Sequence, residues 1–256
     1  MLGKLIKYEY KATARTFFPI YIALLVVAIT GRVLRIGNID AVWAISNMVL
    51  IGLFIGLGVL TLLMVIERFN KNLLGDEGYL MFTLPVKSEQ LILSKLIMSV
   101  LWVIISGIIA FITFLILIGD ISIWSEIFTN WNRIWIEFRN MIQDQMYIKY
   151  PIVYLVIIGI TGLVSYMSFI LKIYVALAVA QLPIFHKNRG IMGLIAFLAI
   201  NIILSICLGI KNLILPSHLF NTFSSMLINT MITGSIISII LFLITKWILD
   251  KHLNLE

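Results

Sequence analysis

The sequence predicts an all-α integral membrane protein with six transmembrane helices, and three observations support this fold class. Of the 256 residues, 61% are hydrophobic and 12% are charged, whereas a soluble domain has roughly 45–50% apolar and about 25% charged residues. The mean hydropathy is +1.08. Six apolar segments approach the roughly 20 residues that a bilayer span requires. Because no charged block is long enough for a soluble domain, we predict a single transmembrane domain over residues 1–256.

The six spans and their orientation follow from hydropathy and charge. The predicted spans cover residues 17–31, 41–66, 96–118, 152–180, 191–210 and 228–245. Outside the spans, twelve Lys and Arg residues lie on one side of the membrane and six on the other. Since cytoplasmic segments carry the excess of Lys and Arg, both termini are predicted to be cytoplasmic. This excess of positive charge beside apolar spans indicates contact with membrane lipids and not with nucleic acid.

Residues 1–16 are predicted to form an interfacial helix before the first span. On a helical wheel, its basic residues fall within about an 80° arc. They are Lys4, Lys7, Lys11 and Arg15. Such a face suits anionic lipid headgroups. The same charges also act as an orientation signal, and the two interpretations are compatible.

Two segments on the predicted outer side are also distinctive. In residues 120–150, apolar residues recur at three- and four-residue steps from Ile127 to Ile142, which predicts an amphipathic helix on the membrane surface. Its tryptophans fit ordinary interfacial anchoring, and substrate contact is the alternative. Residues 211–227 form either a re-entrant hairpin or a plain loop, and the pattern does not distinguish them.

The cytoplasmic segment 67–95 is unusually rich in structure-breaking and charged residues. Gly75 can end one helix, and Asp76 with Glu77 suits the first turn of another. Pro85 disfavours further helix at the preceding residue, and Ser88 can N-cap the third span. The short helix between these breaks is apolar on nearly all sides and cannot be stable alone. It must therefore pack on the membrane, on other helices of the chain or on a partner.

The string RFNKNLLGDEGYLMFTLPVKSEQLILSKLI, residues 68–97, resembles the cytoplasmic loop of ABC-2-type transporter permeases of Gram-positive bacteria. The opening MLGKLIKYEYKATAR and the string ALAVAQLPIFHKNRGIMG, residues 176–193, also resemble these permeases. The matching strings cover about 60 residues, and the layout of six spans extends over the remainder. Pro183 departs from the pattern, because continued helix is expected there.

The resemblance implies a multi-pass subunit of the bacterial plasma membrane that lacks its own ATPase. A separate ABC ATPase subunit, which binds ATP and Mg, would contact the N-terminal helix and the loop between spans two and three. The coupling contacts would be Gly75, Asp76, Glu77, Gly78, Tyr79, Leu80, Phe82, Leu84 and Pro85. The resemblance also implies a homodimer, or a heterodimer with a related permease.

The chain carries none of the motifs that would supply energy or catalysis by itself. No phosphate-binding G-x-x-x-x-G-K-[ST] loop occurs, and the three histidines are scattered, so no metal site is predicted. We therefore expect neither enzymatic activity nor a cofactor bound by this chain. The one clear charge inside a span is Lys172, which either snorkels to the cytoplasmic interface or contacts a gate or substrate.

These observations favour the permease subunit of an ATP-driven exporter that moves a peptide, antibiotic, lipid or other amphiphile. Self-protection against antimicrobial compounds is one role that the resemblance implies. The alternative is a membrane protein that transports nothing and that binds an antimicrobial peptide or a partner protein as an immunity or regulatory factor. Association with an ATPase distinguishes the two hypotheses.

Overall fold

The computed structural model of the chain describes residues 2–37, 40–71, 87–118, 125–126, 128–146, 151–182, 189–214 and 223–251. Its helices are α1 (Leu2–Ile36), α2 (Asp40–Phe69), α3 (Ser88–Ile118), α4 (Trp131–Met146), α5 (Pro151–Ala180), α6 (Arg189–Ile214) and α7 (Phe223–Lys251). All of these except α4 are long and apolar enough to cross a membrane. The predicted class, an all-helical multi-pass membrane protein, is confirmed at this level. The orientation of the termini stays a prediction.

The helices extend past the predicted spans at most of their ends. For example, α2 continues to Phe69 and α3 begins at Ser88, so both enter the segment 67–95 that was predicted as a loop. Likewise, α6 ends at Ile214 and α7 begins at Phe223. The residues between them, which would distinguish a re-entrant hairpin from a plain loop in the segment 211–227, lie outside the described part of the chain. Hydropathy marks only the lipid-facing part of a helix, whereas the backbone hydrogen bonds continue into the polar flanks.

The first helix differs from the sequence prediction. The predicted interfacial helix 1–16 and the predicted span 17–31 form parts of one continuous helix, α1, which passes through Pro19. Proline removes one backbone hydrogen bond from a helix interior. The buried stripe of α1 nevertheless continues on both sides of it, with Phe17 before and Tyr21 and Leu24 after. This packing holds the helix together, and its place at the interface stays a prediction.

Residue contacts divide the chain into two compact units. The N-terminal unit comprises Gly3–Val65 and Ile97–Met141, and the C-terminal unit comprises Met1–Leu2, Ile66–Leu96 and Ile142–Glu256. The predicted single domain is not tested by this division.

The core of the N-terminal unit is built around the indole of Trp102 in α3. The ring of Tyr10 stacks on it with centroids 5.6 Å apart, and the ring of Phe17 stacks with centroids 4.5 Å apart. The indole Nε1–H donates a 2.8 Å hydrogen bond to Thr13 Oγ1. One turn further along, the hydroxyls of Tyr21 and Ser106 share a 2.8 Å hydrogen bond. Aromatic stacking and buried hydrogen bonds thus fix α1 against α3.

The C-terminal unit is organised around α5, which contacts both α6 and α7. A small polar cluster joins α5 to α7: Ser168 Oγ lies 2.7 Å from Ser238 Oγ and 3.0 Å from the Gly234 carbonyl oxygen. A Cβ atom at Gly234 would lie only 3.0 Å from Val164 Cγ1. Small residues of this kind let two membrane helices approach closely, and the hydroxyl groups then bond across the contact.

Candidate coupling site and polar pairs in the spans

The nine residues that the resemblance assigns to ATPase coupling, all between positions 75 and 85, lie outside the described part of the chain. Both flanks of this segment are described and belong to the C-terminal unit. The upstream flank is the end of α2, and the downstream flank is the start of α3. The geometry of these flanks therefore shows what the predicted coupling segment is attached to.

The upstream flank is fixed to the end of α5. Phe69, the last residue of α2, is completely buried. Its ring stacks on the ring of Tyr174 with centroids 4.0 Å apart and an interplanar angle of 11°. Just beyond the helix, Gln181 Nε2 lies 3.4 Å from Asn70 Oδ1, which gives a second and weaker link. The chain therefore enters the predicted coupling segment from a point that is packed on α5.

The downstream flank is fixed to α7. The Glu89 carboxylate, in the first turn of α3, accepts a hydrogen bond from the Lys246 ammonium and forms an ion pair with it. Both side chains are partly exposed, so the ion pair adds little to the stability of the fold and mainly fixes the orientation of α3 relative to α7. Leu91 and Ile92 follow as buried residues. The chain thus leaves the predicted coupling segment in a helix held at its first turns.

The predicted N-cap of α3 requires a correction of one residue. The Lys87 carbonyl accepts hydrogen bonds from the amides of Gln90 and Leu91. An N-cap residue is the one whose carbonyl accepts the first helical hydrogen bond, so Lys87 occupies this position and Ser88 is the first helical residue. Glu89 remains in the first turn, as predicted.

The basic residues predicted on the interfacial face of α1 are all exposed: Lys4, Lys7, Lys11 and Arg15. Glu9, which lies on the opposite side of the wheel, is buried. The Thr13 hydroxyl donates a 2.7 Å hydrogen bond to the Glu9 carbonyl. One face of α1 is therefore packed, and the basic face is accessible to lipid headgroups or to a partner.

Lys172 has a specific partner that the sequence did not reveal. Its ammonium donates a 3.1 Å hydrogen bond to Asn201 Oδ1 on α6. The Asn201 amide in turn donates a 2.8 Å hydrogen bond to the carbonyl of Phe197, one turn back on the same helix. In the sequence, Asn201 is visible as a polar residue within the apolar run 191–210. Only the packing of α5 on α6 shows that it pairs with Lys172. Snorkelling to the interface and contact with a gate or substrate both stay predictions for Lys172.

A second lysine–asparagine pair lies near the other end of α6. The Lys211 ammonium donates a hydrogen bond to Asn229 Oδ1 on α7. Among the described residues, no group of three or more His, Cys, Asp or Glu side chains could hold a metal ion.

Within the described residues of the predicted outer amphipathic segment 120–150, the structure shows the regular helix α4. Trp131 and Ile134 are exposed on it. Arg133 Nε donates a 2.9 Å hydrogen bond to Glu137 Oε1 one turn away. A helix with exposed apolar and charged residues is thus present, and its position on the membrane surface stays a prediction.

Comparisons with protein-family models, with curated proteins and with solved structures find no match to this chain.

Proposed function

We propose that this chain is the membrane permease subunit of an ATP-driven exporter in the bacterial plasma membrane. A separate ABC ATPase subunit binds the segment 67–95 and supplies ATP hydrolysis with its own Mg and ATP. The permease works as a homodimer or with a related permease. Its cargo is a peptide, an antibiotic, a lipid or another amphiphile.

The observation that carries this proposal is the attachment of both flanks of the coupling segment. The stack of Phe69 on Tyr174 joins its entry to α5. The ion pair of Glu89 with Lys246 joins its exit to α7. Contacts at both ends allow a displacement of the segment to reach α5 and α7, whereas displacement of a loosely attached loop would dissipate in the loop itself.

The mechanism that follows is a rigid-body movement. Closure of two ATPase subunits displaces the short helix predicted around Tyr79 and Phe82. The buried stack at Phe69 passes this displacement to α5, and α3 carries it along its own axis. Packed helices respond by switching between discrete arrangements, because dense cores deform poorly. ATP hydrolysis in the partner thereby changes access to the bundle.

The first test is co-purification in mild detergent from the native membrane. We expect an ABC ATPase, identified by mass spectrometry, to elute with the full chain and to hydrolyse ATP in the complex. The double variant Tyr79→Ala/Phe82→Ala should lose the ATPase. The matched control Phe111→Ala/Phe114→Ala, at two exposed positions of α3, should retain it. A wild-type chain that elutes without any ATPase contradicts the proposal and favours the immunity or regulatory alternative.

The second test separates docking from coupling. Phe69 contacts α5 and precedes the predicted coupling contacts between residues 75 and 85, so Phe69→Leu should retain the ATPase but transport less cargo per ATP hydrolysed. Proteoliposomes containing the complex and a labelled amphiphile would measure both rates. Equal transport per ATP in the variant and the wild type would show that the stack of Phe69 on Tyr174 does not transmit movement to α5.

A further inference from the structure

Lys172 lies near the boundary between the hydrocarbon core and the headgroups, where an ammonium group can meet the anionic head of a lipid. It stands eight residues before the end of α5 at Ala180, which is about 12 Å along the helix axis. The 30 residues of α5 span about 45 Å, whereas the hydrocarbon core is about 30 Å thick. A centred α5 therefore places the Lys172 backbone inside the hydrocarbon region, near the boundary with the headgroups.

The chain supplies no counter-charge to this ammonium within its described residues. The one partner of Lys172 there is the neutral Asn201 side chain. A lysine ammonium has three N–H donors, and the Asn201 oxygen accepts from one. Intramembrane charges normally pair with an opposite charge or line a functional pathway. Two donors and a full positive charge are thus left for an external group.

The surroundings of the pair are apolar and accessible. Lys172 itself is partly exposed. On α6, Leu198 and Ile202 lie close to Asn201 in sequence and are 61% and 60% exposed. The rings of Phe169 and Phe197 pack edge to face, with centroids 6.1 Å apart, and join α5 to α6 nearby. An ammonium beside such surfaces suits a ligand with an anionic head and an apolar body.

We propose that the Lys172–Asn201 pair binds the anionic headgroup, phosphate or carboxylate, of a membrane amphiphile in the bilayer half that α5 reaches with its C-terminal end. The ammonium forms a charge-assisted hydrogen bond with the headgroup, and Asn201 fixes the direction of the lysine side chain. Depth selects an amphiphile over a soluble anion, since a soluble anion would have to leave water to reach this position. The proposal is independent of the ATPase, because its test measures binding alone.

The test is native mass spectrometry of the full chain in a neutral detergent, titrated with phosphatidylglycerol or with diacylglycerol of the same acyl chains, which carries no anionic group. A charge-assisted hydrogen bond corresponds to a preference of about tenfold or more for the anionic lipid. Lys172→Gln should abolish this preference, and Lys172→Arg should retain it. Lys211→Gln, which changes the other lysine–asparagine pair, is the matched control and should behave as wild type. Binding of diacylglycerol should be equal in all four proteins.

Two outcomes would overturn the proposal directly. One is an equal affinity of the wild type for both lipids, and the other is a Lys172→Gln variant that keeps the preference. Competition by millimolar inorganic phosphate would also overturn it, because it would identify a site for soluble anions. If Lys172→Gln does not fold, phosphatidylglycerol with a photoreactive headgroup still tests the unmodified protein. Cross-links should map to residues 168–176 or 197–205, and labelling confined to other segments contradicts the site.

Discussion

The ring of Phe69, the last residue of α2, lies face to face with the ring of Tyr174 in α5, with centroids 4.0 Å apart. Both residues are almost completely buried. They are separated by more than a hundred positions in the sequence, and they meet where the chain enters the predicted coupling segment. This stack makes the end of α2 part of the core of the C-terminal unit.

Replacing Phe69 with alanine should destabilise the protein by about 3 kcal/mol, because it removes a fully buried ring and leaves a cavity. Unfolding in mixed detergent, followed by circular dichroism, measures the change. The control is Phe111→Ala, which removes the same atoms from a position that is 62% exposed and should cost less than about 0.5 kcal/mol. Equal losses in the two variants would mean that the stack contributes nothing specific.

The ion pair between Glu89 and Lys246 should respond to charge reversal and to salt. Glu89→Lys and Lys246→Glu each place like charges together, so each should lower the melting temperature by a few degrees at low ionic strength. The double reversal restores opposite charges and should recover part of the loss, because Lys87 and Asp250, which favour the wild-type charges, then face like charges. High salt screens partly exposed pairs and should shrink all the differences. Single variants that melt like the wild type at low salt would contradict this pairing.

Replacing Thr13 with valine should destabilise the contact between α1 and α3. Valine has nearly the shape of threonine but cannot accept the hydrogen bond from Trp102 Nε1–H, which is 2.8 Å long in the wild type. Trp102 is only 3% exposed, so its donor would be left without a partner, at a cost of about 1–2 kcal/mol. Thermal unfolding followed by tryptophan fluorescence measures the loss. Thr13→Ser keeps the hydroxyl and should preserve most of the stability, and a serine variant as unstable as the valine variant would contradict the role of this bond.

Gly234→Ala should weaken the packing of α7 on α5. The new methyl group would lie 3.0 Å from Val164 Cγ1, and relieving this overlap costs about 1–2 kcal/mol. Gly159→Ala is the control, because nothing lies within 4 Å of a Cβ atom at that position, and alanine favours helix by up to about 1 kcal/mol.

The compensating change Val164→Ala tests the same contact. It makes room for the methyl group, so the double variant Gly234→Ala/Val164→Ala should lose less stability than the sum of the two single changes. Strict additivity in unfolding experiments would show that residues 164 and 234 are not coupled.

The sequence predicted the helices better than it predicted their ends. Each of the six predicted spans lies within a helix of the structure, because about 20 consecutive apolar residues can satisfy their backbone in a membrane most simply as a helix. The interfacial helix predicted over residues 1–16 and the span predicted over residues 17–31 are continuous in the structure. Pro19 marks a local loss of one hydrogen bond, whereas the packing of Phe17 and Tyr21 in one buried stripe holds the helix on both sides.

The candidate sites show a similar division. Charge and depth singled out Lys172 in the sequence, yet Asn201 was one polar residue in an apolar run. The coupling segment was predicted from its helix-breaking residues and from its resemblance to ABC-2-type permeases. Nothing in the residues near Phe69 indicates that its ring packs on Tyr174. Pairings between distant positions depend on which faces of two helices meet, and local patterns do not contain that information.

By itself, the sequence determined that the described residues form helices of which six are long and apolar enough to span a membrane, because hydropathy and segment length are local properties of the sequence. The tertiary structure alone decided that α1 runs unbroken through Pro19, that α5 holds the end of α2 through Tyr174, and that Lys172 meets Asn201. These features arise from side-chain packing and hydrogen bonds between helices, which form only when the whole chain is assembled.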